Sequence, residues 1–81
     1  MRNDIGERNY RKLFYYFDKN IWVHFKDLDG IFYNGLIIDL NKERKTMILR
    51  ERIKGEMPFL LEFIDPDSIF PFKLNKEEWG L

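Results

Sequence analysis

Between Phe17 and Ile21 the spacing of apolar residues changes from the helical period to the extended one, and nowhere later does it change back. Before that point Tyr10, Leu13, Phe14 and Phe17 stand at i, i+3, i+4 and i+7, which places one apolar stripe on a helix. After it, Ile21, Val23 and Phe25 alternate with Trp22, His24 and Lys26, the pattern of a strand with one face inward. A chain with one helix followed only by strands has no crossover helix, so a parallel βαβ arrangement is excluded and the strands must pair antiparallel. Short strands joined by tight turns then predict a small closed or nearly closed barrel.

The helix is expected over about residues 4–17, with Asp4 and Glu7 spaced as a capping box and Asp18-Lys19-Asn20 ending it. Asp27-Leu28-Asp29-Gly30 reads as a turn, because Asp-Gly supplies the positive φ that tight hairpins need. Residues 31–40 form a long strand interrupted by Gly35, where a missing side chain permits the bend that closes a barrel. Residues 41–45 are a charged hairpin loop, 46–53 a third strand, and Lys54-Gly55-Glu56 a turn into a fourth strand at 59–64. Asp65-Pro66-Asp67-Ser68 turns the chain into a brief last strand at 69–73, whose Pro71 suits a sheet edge. The expectation is one mainly β domain: an N-terminal amphipathic helix, a five-stranded, strongly bent barrel over about residues 21–73, and a C-terminal tail at 74–81.

Length limits this to a single small core, and apolar residues at 44% suffice to form one. There is no cysteine, which removes disulfides, thiolate zinc sites and cysteine nucleophiles together. His24 is the sole histidine and Ser68 the sole serine, so neither a histidine metal site nor a Ser-His-Asp arrangement can be assembled. The acid pairs Asp27/Asp29 and Asp65/Asp67 fall in turns, where Asp bonds its own backbone. A non-enzymatic protein is expected, without cofactor, metal or small-molecule substrate. No apolar stretch is long enough to span a bilayer, and Met1-Arg2-Asn3-Asp4 carries no apolar signal core, so a cytoplasmic protein without membrane contact is expected. Alanine and glutamine are absent while Lys, Glu, Arg and Ile are frequent, a composition found in thermophile proteins.

Formal net charge is zero, but its distribution is uneven. Residues 42–54 hold six bases against two acids, whereas residues 55–81 hold six acids against two bases, so a basic and an acidic side are expected. Lys42, Arg44 and Lys45 in the loop, with Arg50, Arg52 and Lys54 sharing a face of the third strand, form a track that could follow phosphates; a solvated strand face would carry the same run. Trp22 lies opposite the core face, where an exposed ring can stack on an unpaired base. In the fourth strand Phe59, Leu61 and Phe63 alternate with Leu60 and Ile64, making both faces apolar, and Trp79 in the tail is a further large ring. These four residues, Phe59, Leu61, Phe63 and Trp79, are candidates for a protein interface.

Ile21-Trp22-Val23-His24-Phe25-Lys26, Gly30, Tyr33-Asn34-Gly35-Leu36-Ile37, Met47-Ile48-Leu49 and Ile64-Asp65-Pro66-Asp67-Ser68-Ile69, taken in order, resemble the Sm-like family of small RNA-binding barrels. Tyr33, Gly35 and Ile37 fill its pattern of an aromatic two residues before a bend glycine and an aliphatic two after. These motifs are structural and shared with SH3-like barrels. Asn41 stands near one base-reading position, but Asp65-Pro66 occupies the place of the family's Arg-Gly pair. The resemblance therefore implies the barrel rather than the family's base pocket. Two functions follow as expectations. One is an RNA-binding or ribonucleoprotein barrel, ribosome-associated among other settings, using the basic residues with Trp22 or Asn41 near bases. The other is a protein-interaction or homo-oligomer-forming module built on strand edges and the tail.

Overall fold

The computed structural model describes residues 4–72; Lys73, the tail at 74–81 and with it Trp79 lie outside the described residues. Helix α1 runs over Ile5–Lys19. Asp4 caps it by accepting from the Glu7 N–H at 3.0 Å, and Asn20, in the left-handed conformation at φ 57°, closes it by donating to the Phe17 and Tyr16 carbonyls. The expected stripe faces the core through Leu13, with Tyr10 and Phe17 partly buried against it. Gly6, Asn9 and Leu13 point inward, Phe14 is exposed, and the Tyr10 and Phe14 rings lie beside each other at 6.0 Å. Asn9 adds a polar tie to this face, its Nδ2 donating to the Leu61 and Ile64 carbonyls at 2.7 and 2.8 Å.

Strands β1 (Val23–Lys26), β2 (Phe32–Asn41), β3 (Thr46–Glu51), β4 (Gly55–Leu60) and β5 (Phe70–Pro71) form one antiparallel sheet in the order β4-β3-β2-β1-β5. Four strands form a meander, and the chain then crosses through two 3₁₀ turns, Leu61–Phe63 and Pro66–Ser68, to pair β5 with β1. The expected closed barrel is thus an open sheet whose ends, β4 and β5, are not joined by hydrogen bonds among the described residues. Its curvature comes from β2. At Gly35 a Cβ would run into the Arg50 carbonyl and stand 2.9 Å from the Glu51 Cα, so only glycine lets β3 approach this closely. Two residues on, the β2–β3 register slips between Ile37 and Asp39, a bulge that adds twist.

Several boundaries differ from those expected. β3 ends at Glu51 and β4 begins at Gly55, four residues before the sequence placed it, because the buried Glu51 carboxylate accepts from the Ile53 and Lys54 N–H groups, both at 2.8 Å, and turns the chain within Arg52–Lys54. Residues 61–63 are helical rather than extended. Leu61 and Ile64, three apart, both turn inward, which is why this stretch shows no polar face. The core joins them to Leu13, Val23, Phe25, Tyr33, Ile37, Met47, Leu49 and Ile69, each full burial being worth roughly 1.5–3 kcal/mol.

Backbone phase decides what the sheet ends present. Residues of an antiparallel ladder bond alternately to one side and the other. The Leu61 N–H reaches the Lys45 carbonyl at 2.9 Å, so Met57 and Phe59 bond β3 while Glu56, Pro58 and Leu60 turn their backbone groups outward. The Phe72 N–H reaches the Trp22 carbonyl at 2.8 Å, so Phe70 bonds β1 and Pro71 faces outward. Each end strand therefore carries a proline where an outward donor would stand.

Candidate nucleic-acid interface

The helix and the core lie on one side of the sheet; alternation puts Trp22, His24, Lys26, Phe32, Asn34, Leu36, Ile48 and Arg50 on the other. Strand register arranges this outer face in rows. In one row Phe70 stands opposite His24, His24 opposite Asn34, and Arg52 follows with its N–H on the Asn34 carbonyl at 2.7 Å. In the next row Phe72 and Trp22 lie with ring centroids 6.5 Å apart, the register carried one residue on brings Leu36, and Leu36 stands opposite Arg50. Rings thus occupy the β5–β1 half and arginines the β3 half. A third row joins Lys26 to Phe32.

The ring cluster is ordered by its own contacts. His24 stacks on Phe32 at 5.2 Å with 14° between planes, and its Nδ1 hydrogen-bonds the Asn34 Oδ1, which fixes the imidazole in its plane. Lys26 Nζ lies 5.9 Å from the Phe32 centroid on the same face. Phe32 and Phe70 are each 57% exposed, large apolar rings left in water beside cations. Two carboxylates border the face: Glu56 Oε2 is 3.7 Å from Arg50 Nη2, and Asp65 Oδ2 is 3.9 Å from Lys26 Nζ.

The basic residues singled out from sequence do not form one track. Lys42 and Arg44 are exposed on the β2–β3 turn at the far end of β3, and Lys45, at φ 56°, is directed to α1 with Nζ 3.8 Å from Glu7 Oε1. Asn41 shapes that turn, its Oδ1 accepting from the Arg44 N–H at 2.8 Å. Arg50 lies on the outer face of β3, and Arg52 opens the turn that follows it. Lys54 does not share their face: the turn carries it to the Tyr33 ring, 5.4 Å away, on the core side. Of the apolar candidates, Phe59 packs edge-on against Phe25 and Tyr33, Leu61 is buried beneath α1, and Phe63 is exposed near the β1–β2 turn, where its carbonyl accepts from Leu28. Trp79 lies outside the described residues.

Phe32, Phe70 and Lys26 were missed as site residues. The signal was present in strand parity, since Tyr33 inward requires Phe32 outward, but the partnership of Phe70 with His24 depends on β5 returning to β1. Two shifted groups support the frame rather than the face. Burial raises the Tyr33 hydroxyl, with the Asp27 carboxylate adding to it. For Glu51, burial alone would raise the carboxyl, but N–H groups of Lys54, Ile53 and Asn34 together with the Lys54 charge hold it below the ordinary glutamate value.

Among the described residues no group of three His, Cys, Asp or Glu side chains is placed to hold a metal, and no helix is long and apolar enough to cross a membrane. Compared with known protein families, characterised proteins and solved structures, the chain matches none.

Proposed function

We propose that this chain is a non-enzymatic RNA-binding domain of the SH3-like or Sm-like barrel kind, acting on RNA alone or within a ribonucleoprotein, and that it binds single-stranded RNA across the outer face of its sheet. One observation carries the reading: the half-buried rings of Phe72 and Trp22 are followed across the sheet by Arg50 on β3, and in the neighbouring row Phe70 and His24 are followed by Asn34 and then by Arg52 in the turn after β3. Unpaired bases stack on rings whatever their sequence, while the phosphates need cations one or two strands away. Rows two residues apart along a strand are spaced by about 6.6 Å, a step that one extended nucleotide can follow.

The alternative, assembly through strand edges, is disfavoured by Pro58 and Pro71, which interrupt the row of donors an added strand would need. The test is affinity for a short unstructured RNA, measured by fluorescence anisotropy. Phe70→Ala and Phe32→Ala should each weaken binding roughly fivefold to a hundredfold, the range for loss of one stacked base. Arg50→Glu with Arg52→Glu should weaken it further and flatten its dependence on salt. Unchanged affinity in the ring variants and in the double arginine variant would exclude this face.

A further inference from the structure

Two exposed cations of the outer face each have a carboxylate within ion-pair distance, Glu56 for Arg50 at 3.7 Å and Asp65 for Lys26 at 3.9 Å. Both pairs join separate segments: Glu56 stands directly opposite Arg50 across β3 and β4, and Asp65 caps the second 3₁₀ turn, Pro66–Ser68, ahead of β5. Neither carboxylate belongs to the core. Exposed pairs of this length contribute little to folding, and the chain as a whole has no net charge with which to attract a polyanion.

We propose that Glu56 and Asp65 are resident counter-ions that make the face selective, excluding polyanions that bring charge alone and admitting a single strand whose bases also stack. The inference rests on the RNA-binding reading above and concerns selection at the same face. A phosphate chain without bases gains only the exchange of one anion for another at Arg50 and Lys26, while meeting two carboxylates at close range. A single-stranded oligonucleotide meets the same carboxylates but also covers Phe32, Phe70 and the Trp22–Phe72 pair, so stacking offsets the exchange. Duplex nucleic acid, with its bases already stacked on each other, falls with the first group. The selectivity is built by repulsion of wrong ligands as much as by attraction of the right one.

The chemistry allows a clean variant. Glu56→Gln removes a charge from an exposed edge position. Asp65→Asn removes the second while keeping an oxygen to accept from the Asp67 N–H, the bond of 2.9 Å that starts the 3₁₀ turn. Each change removes the carboxylate facing one cation while leaving every ring and cation of the face in the sequence.

The experiment compares wild type with the Glu56→Gln/Asp65→Asn variant, titrated with a short unstructured RNA and with inorganic polyphosphate of matched charge over a series of salt concentrations. Wild type should bind the RNA and bind polyphosphate at least about tenfold more weakly. In the variant both affinities should rise by a similar factor of about tenfold, because both ligands meet the same two carboxylates, so that charge alone now suffices for polyphosphate to bind, with each salt slope steepened by about one for each cation released. RNA binding by wild type with polyphosphate affinity unchanged in the variant overturns the inference and leaves the RNA reading standing. Wild type that binds no RNA overturns the reading beneath it, and the inference with it.

Discussion

Three residues, Gly35, Asn9 and Glu51, hold positions fixed by close backbone approach or by hydrogen bonds, and each gives a direct measurement. Gly35 lies where β2 and β3 come closest, so Gly35→Ala must push the Arg50 carbonyl aside and should lose about 1–3 kcal/mol or fail to fold, as read by urea denaturation. Asn9 is fully buried and acts through its donors, since its Oδ1 has no partner among the described residues. Asn9→Ala should cost about 1–3 kcal/mol, and Asn9→Asp should cost more, because it sets a buried acceptor against the Leu61 and Ile64 carbonyls. Glu51 predicts a pH dependence. Its carboxyl sits below the ordinary value in the folded chain, despite burial, because three N–H groups and Lys54 favour the anion. A depressed carboxylate contributes stability that is present above its unfolded pKa and lost as pH falls through its folded one. Glu51→Gln should therefore lower stability at neutral pH and flatten the acid side of the stability profile below the ordinary glutamate range. An acid limb equal to that of wild type would contradict this account of the β3–β4 turn.

At the scale of elements, the end strands decide how the sheet behaves among copies of itself. Pro58 and Pro71 each withhold the outward donor from a free edge. Pro58→Val and Pro71→Val together should raise self-association with concentration in sedimentation, whereas wild type should resist it; a variant no more associated than wild type would show that the edges are protected otherwise. Much of this layer was legible beforehand. The helix with its Asp4 cap and Asn20 stop, the inward parity of Val23, Phe25, Tyr33 and Ile37, and the special role of Gly35 all follow from local pattern and sterics. On the inward face of α1, Tyr10, Leu13 and Phe17 follow from the apolar spacing, whereas hydrophobicity cannot anticipate a buried asparagine serving two distant carbonyls. The β3–β4 turn was placed late because a glutamate that folds back onto its own following N–H groups looks, in sequence, like one more charge in a basic run. Residues 61–64 were read as a strand because two inward residues three apart among apolar neighbours resemble continuous extended burial.

For the whole molecule, the sheet separates two tasks. One face and α1 supply the core; the other carries rings and cations that contact one another and two bordering carboxylates outside that core. The rows could not be read from sequence, since they join residues 22–26, 32–36, 50–52 and 70–72 and exist only once β5 has crossed to β1. The central claim is that this outer face receives single-stranded RNA. The most direct measurement is a residue-by-residue map of NMR shifts as a short unstructured RNA is added. The account predicts saturable shifts concentrated at Trp22, His24, Lys26, Phe32, Arg50 and Phe70, with α1 and the Asn9 amide undisturbed. Shifts confined to α1 or to the Phe63 end of the molecule, or no shifts at RNA concentrations well above that of the protein, would contradict it.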